Sequence, residues 1–145
     1  MPEITYQILS EARLTIVRFV GAITIDDLAA ARKTISADPD FDLSFQGVGD
    51  LRAGHYASDL AVYRAYVEQV AARNARSSNW AILIDTPKET AFQMIWQSFM
   101  EKIQPSKLFI TPEAAVGYLA LDDKVSERLL GLLEDPRKPL AVRIP

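Results

Sequence analysis

The chain contains no cysteine and a single histidine, His55. Thiol catalysis, disulfide frameworks and thiolate zinc sites are thereby excluded, and one imidazole cannot build a histidine-rich metal cage within one chain. Long apolar runs are missing too: the longest uncharged stretch, Thr90 to Met100, falls well short of the roughly 20 residues that a membrane-spanning helix needs. Nor is there an excess of positive charge. Sixteen basic residues stand against 19 acidic ones, and the net charge of −3 disfavours sequence-independent attraction to nucleic acid or to an anionic membrane. The opening Met-Pro-Glu-Ile lacks the basic start and apolar stretch of a secretion signal, so the expected location is the cytoplasm.

With 145 residues, 49% of them apolar and 24% charged, the chain suits one core and leaves little for a second. A chain of this size hides roughly 68–70% of its unfolded surface, so no metal or cross-link is required for stability. Residues 1–135 read as one α/β domain and 136–145 as a C-terminal tail or arm.

Glu3 to Leu9 alternates, with Ile4, Tyr6 and Ile8 on one face, as in an edge strand buried on one side. A short turn leads into Leu14 to Val20, apolar on both faces apart from Arg18, and the two strands form an antiparallel opening hairpin. Thr24 with Asp27 predicts a capping box, and Leu28, Ala31 and Ile35 predict the inner stripe of the helix that follows. Phe45 to Leu51 is the next strand, although Gly47 and Gly49 interrupt it. Ser58 and Asp59 open a helix with Leu60, Tyr63, Val67 and Val70 on its inner face.

Trp80 to Ile84 is a continuous apolar run, expected for a central parallel strand. Thr86, Pro87 and Glu89 then spell a full capping box with proline at the first helical position. That helix carries Phe92, Ile95, Trp96, Phe99 and Ile103 on one side. A short strand from Lys107 to Ile110, a helix capped by Thr111 and a helix after Asp122 complete the order. The expected fold is a mixed sheet of about five strands, an opening hairpin followed by βαβ units, packed with helices.

This order of elements resembles the STAS-like domains of the anti-sigma-factor antagonist type, and more closely their bacterial relatives called SpoIIAA-like. The resemblance rests on Val17-Arg18-Phe19-Val20-Gly21, on Ala37-Asp38-Pro39-Asp40-Phe41-Asp42 and on Gly49-Asp50-Leu51-Arg52, and covers about residues 1 to 121. It implies a regulatory or protein-interaction module without catalysis. In the sigma-regulating members a serine at the start of the helix after the third strand is phosphorylated, and Ser58 holds the corresponding position. The local sequence departs from theirs: Tyr56-Ala57-Ser58-Asp59 replaces an Asp-Ser-Ser-Gly type, and Asp59 would repel a phosphate there.

In a wound α/β sheet, ligands gather beyond the carboxyl ends of the parallel strands. That rule selects Asp50, Arg52, His55 and Tyr56 after the third strand, Asp85 and Thr86 after the fourth, and Thr111 after the fifth as ligand-binding candidates. An acid, a cation and an imidazole so close together can bind an anion or move a proton, while a local ion pair between Asp50 and Arg52 and a solvated loop histidine at His55 are the stronger explanation. Ser58 with His55 lacks the Gly-x-Ser-x-Gly context of a nucleophile, and no residue is assigned a catalytic role. Asp38, Asp40 and Asp42 start like a calcium loop, yet Leu43 and Gly49 stand where glycine and glutamate are required, so no metal is expected. No cofactor is expected either, since Gly47-Val48-Gly49 has Arg52 at the third glycine position of a dinucleotide fingerprint.

Met94 and Trp96 widen an apolar helix face and are the interface candidates, and with the apolar tail from Leu140 they point first to a homodimer and second to a protein partner. The leading expectation is therefore a non-enzymatic interaction module. Its alternatives are a carrier of a small anionic or acyl ligand at the strand ends, and a hydrolase or isomerase using His55.

Overall fold

The computed structural model describes residues 2–73 and 76–145, and shows a six-stranded mixed sheet with five α-helices. In chain order these are β1 (Glu3–Leu9), β2 (Leu14–Ile23), α1 (Ile25–Ala37), β3 (Gln46–Tyr56), α2 (Leu60–Arg73), β4 (Trp80–Leu83), α3 (Pro87–Met100), β5 (Ser106–Phe109), α4 (Pro112–Leu119), α5 (Asp123–Leu132) and β6 (Val142–Arg143). Their order across the sheet is β5-β4-β3-β2-β1-β6, with β2 to β5 parallel and the two strands at the other side joined antiparallel. The sixth strand exceeds the five expected. Its pairing with Thr5 and Tyr6 places β1 inside the sheet and not at its edge. Among the described residues, no helix is long and apolar enough to cross a membrane.

The order of strands decides where the helices lie. Each crossover from β2 to β5 steps one strand in the same direction, and right-handed connections therefore send α1, α2 and α3 to one face. The chain then turns back across the opposite face through α4 and α5 to reach β6. Two cores result. On the α4–α5 face, Leu14, Ile16, Val48 and Leu83 pack against Ala115, Leu119, Leu129 and Leu133, and the tail adds Leu140. Each fully buried leucine there contributes about 1.5–3 kcal/mol relative to exposure. The α1–α3 face is built on Val17, Leu51 and Ile82 from the sheet, with Ile35, Tyr63 and Phe92 from the helices.

Local sequence accounts for the helix starts unevenly. Thr24 and Asp27 form the expected reciprocal capping box, Thr111 caps α4 and Asp122 caps α5. Asp59, and not Ser58, caps α2: its carboxylate accepts from the Val62 amide at 2.8 Å, and the helix begins one residue later than expected. Leu60 accordingly faces solvent. At α3 the expected box does not form. Thr86 occupies the N-cap position with extended backbone, but its hydroxyl makes no cap bond, and Glu89 turns away into the protein.

Strand β3 is the longest, at 11 residues, and runs five positions beyond the expected Leu51. Its glycines have a packing reason. A Cβ on Gly47 would lie 2.3 Å from the Trp80 indole, so only glycine lets that ring lie across the strand. Farther along, Arg18 pairs with Asp50 and Val20 with Ala53, so Leu51 and Arg52 together face Phe19 alone. This bulge restores the register while changing where the last residues of β3 point.

Candidate functional site

Arg18 and Asp50 are 1% and 0% exposed, and they lie on the α4–α5 face against the end of α5 and the tail. Arg18 Nε donates to Asp50 Oδ2 at 3.0 Å, while its two terminal nitrogens donate to the carbonyls of Lys138 and Leu132 at 2.6 and 2.7 Å. Arg52 completes the group, with Nε to Asp50 Oδ1 at 2.9 Å, Nη2 to Oδ2 at 2.8 Å, and Nη2 to the Leu133 carbonyl at 2.6 Å. Charges this deeply placed persist only when paired and hydrogen-bonded, and here the carbonyls at the end of α5 and in the tail supply the remaining acceptors. The expected Asp50–Arg52 pair is thus real, and it is a structural clasp that holds the chain end to the sheet.

The opposite face contains a cavity of about 170 Å³ beneath α1, α2 and α3. Val17, Leu51 and Ile82 form part of its floor, and Ala31, Ile35 and Trp96 part of its walls. A void of ~150 Å³ with an apolar lining accommodates one benzene ring, so this one has room for a small aromatic or short acyl group. Gly49 leaves the strand bare at the floor, where a Cβ would lie 3.0 Å from Ile82 Cδ1.

Three polar groups meet this apolar space. The Arg32 guanidinium stacks over the Trp96 ring with its carbon 5.5 Å from the centroid, and among the described residues it forms no ion pair. Burial pushes its pKa down, against the pull of the Tyr66 and Tyr63 hydroxyls. Tyr66 Oη and Trp80 Nε1 are buried and have no hydrogen-bond partner among the described residues. Burial also raises the Tyr66 pKa, so its hydroxyl stays a donor. Among the described residues, two neutral donors and a cation without an ion-pair partner thus line one apolar cavity, a set suited to an acceptor with negative charge.

Tyr56 stands at the end of β3 as expected, but its side chain is 4% exposed within an aromatic cluster with Tyr63 and Phe92, ring centroids 4.8–5.0 Å apart. Its hydroxyl accepts from Gln93 Nε2 at 2.9 Å and borders the cavity, and burial raises its pKa. Trp96 likewise belongs to the cavity wall. Met94, the other interface candidate, is 62% exposed.

The remaining candidates divide. Arg52, His55, Asp85 and Thr86 line an open cleft beyond β3 and β4, joined by Lys88, Glu89 and Arg137. His55 stands on the end of β3, exposed, and not in a loop. Thr111 lies outside the cleft, as the cap of α4, accepting from the Ala114 amide at 3.2 Å. Ser58 is half-buried and its Oγ has no partner among the described residues. Among the described residues, no three His, Cys, Asp or Glu side chains converge as metal ligands.

Sequence reasoning missed Arg32, Tyr66 and the buried role of Glu89. Two glycines on one face of a central strand were the available signal for the cavity, since they remove side chains where a neighbouring layer must pack. No protein-family model and no curated protein matches the chain.

Proposed function

We propose that the chain is a non-enzymatic binding module of STAS-like type whose ligand is a small apolar carboxylate, held in the cavity beneath α1, α2 and α3. The carrying observation is that an apolar cavity of about 170 Å³ is lined by Arg32, which forms no ion pair among the described residues, and by Tyr66 and Trp80, whose Oη and Nε1 are buried without a partner among them. This is the carrier alternative moved from the strand ends to the helix-covered face. Concave apolar sites with few convergent polar groups are the usual form of small-molecule sites. A hydrogen bond from a charged donor contributes about 1.5–3 kcal/mol, so the carboxylate should favour binding by roughly 10- to 100-fold over a neutral analogue.

Both tryptophans of the chain line the cavity, which makes their fluorescence a direct probe. Titration with hexanoate or phenylacetate should give a saturable change, the matching amides should bind at least about tenfold more weakly, and Arg32→Gln should erase that preference. Acid and amide binding alike, or no saturation by either, would overturn the reading.

A protein partner or second copy is the other reading, and it rests on Met94, the large apolar side chain of α3 left mostly exposed. Phe92 and Met100 are buried in the chain's own core, Trp96 faces the cavity, and Leu140 is covered. Sedimentation of the wild type beside Met94→Lys tests it: a dimer that the substitution dissociates supports self-association, and a monomer in both contradicts it. A cytoplasmic location fits either reading.

A further inference from the structure

The cleft beyond β3 and β4 is separate from the cavity, and one residue in it is hard to explain without a ligand. Glu89 is 1% exposed; its Oε2 accepts from the Tyr56 amide at 3.3 Å, and its Oε1 is buried with no partner among the described residues. An unfilled carboxylate oxygen in such a place is costly, and the cost is removed when the carboxyl keeps its proton and has an acceptor to give it to. Glu89 also occupies the third position of α3, a 14-residue helix whose N-cap Thr86 gives no side-chain bond. Pro87 at the first position has no N–H, and with Glu89 turned toward β3 the Lys88 and Glu89 amides keep no side-chain acceptor among the described residues. A helix start in that condition attracts an anion.

The charges around the cleft agree. Lys88 and Arg137 line it and form no ion pair among the described residues, His55 is exposed beside them, and Asp85 is the opposing carboxylate. Arg52 reaches the cleft from the clasp, already bound to Asp50 and the Leu133 carbonyl.

We infer that this cleft binds an oxyanion of the phosphate type, held by the Lys88 and Glu89 amides at the start of α3 with the Lys88 and Arg137 side chains, and by a hydrogen bond donated from the Glu89 carboxyl. Burial raises the Glu89 pKa and Asp85 adds to the rise, while the Tyr56 amide, Lys88 and His55 act in the opposite direction. A protonated Glu89 donates to the anion; an ionised one repels it. Binding therefore weakens as pH rises.

Sulfate is the cleanest first probe, because its own charge is constant across the range. Titrated calorimetrically into the full chain between pH 5 and pH 8, it should bind saturably and lose affinity as pH rises, by up to about tenfold per pH unit above the Glu89 pKa. Glu89→Gln, which keeps a neutral donor, should flatten most of that dependence; His55→Ala should leave most of it. Lys88→Ala with Arg137→Ala, both at the surface, should weaken binding at least about tenfold without changing the melting temperature. Inorganic phosphate and glycerol phosphate then distinguish the source: preference for the ester means that the anion arrives on a larger molecule, and preference for the free ion means that it does not. Absence of saturable binding below about 10 mM, which corresponds to under 3 kcal/mol, overturns the inference. So does a pH dependence that disappears with His55→Ala and persists in Glu89→Gln. Since hexanoate is read at the tryptophans, failure here leaves the cavity reading intact, and the converse holds.

Discussion

The two faces of the sheet solve the same burial problem differently. Beneath α4 and α5 the apolar side chains close over a buried arginine–aspartate–arginine group whose acceptors are main-chain carbonyls of the chain end. Beneath α1, α2 and α3 the packing leaves an opening, with a cation and two donors unanswered among the described residues. Both faces hold charge, yet only one pairs and hydrogen-bonds it internally. Completeness of pairing, more than polarity, separates a structural face from a binding face.

The sharpest way to break this contrast is at the clasp. Asp50→Asn leaves Arg18 buried without its countercharge and should cost about 3–5 kcal/mol in urea denaturation. A cost below about 1 kcal/mol would mean that the group is not the anchor of the closed face. Next in size is a pair of identical substitutions on opposite faces. Ala115→Leu overfills the closed core and should cost about 1–3 kcal/mol, whereas Ala31→Leu enters the cavity, should change stability by less than about 1 kcal/mol, and should abolish hexanoate binding. Equal costs at the two sites would show that the opening is not available space.

Smaller effects sharpen the picture around the open face. Tyr6 donates to Asp38 Oδ2 at 2.7 Å, tying β1 to the end of α1, and burial with this carboxylate raises its pKa to about 12. Tyr6→Phe removes one bond to a charged acceptor and should lower stability by about 1.5 kcal/mol, measured by denaturant titration. The least effect concerns Glu89. Its native pKa is raised, so the folded chain holds the proton more tightly than the unfolded one, and stability is full below the ordinary carboxyl pKa and declines as pH rises through the raised value. Melting temperatures across this window should fall with pH in the wild type and stay flatter in Glu89→Gln.

Legibility in the sequence followed the distance between partners. Thr24 with Asp27 and Thr86 with Glu89 spell nearly the same cap, yet one forms and the other does not, because the Tyr56 amide, 33 positions away, takes the Glu89 carboxylate. Gly47 and Gly49 read as interruptions of a strand; the Trp80 ring and the cavity floor that require them come from other elements. Arg18 stood out as the lone charge in an apolar strand, which signals a buried partner without saying which one. The Asp50–Arg52 part of the clasp was visible two positions apart, while Arg18 and the carbonyls of Leu132, Leu133 and Lys138 were not. Alternation in Glu3 to Leu9 looked like an edge strand because nothing local announces that the chain end returns to pair with it. Arg32 carries no local signal at all: on its own helix it is an ordinary flanking cation, and only Trp96 and Tyr66 make it part of a site.

The contrast between the faces is tested most directly by methyl-resolved NMR of the full chain during titration with hexanoate. The expected result is saturable shifts at Ala31, Ile35, Leu51 and Ile82, with Ala115, Val116 and Leu129 unmoved. Shifts spread over both faces, or none at millimolar ligand, would contradict an open, carboxylate-binding face set against a closed one.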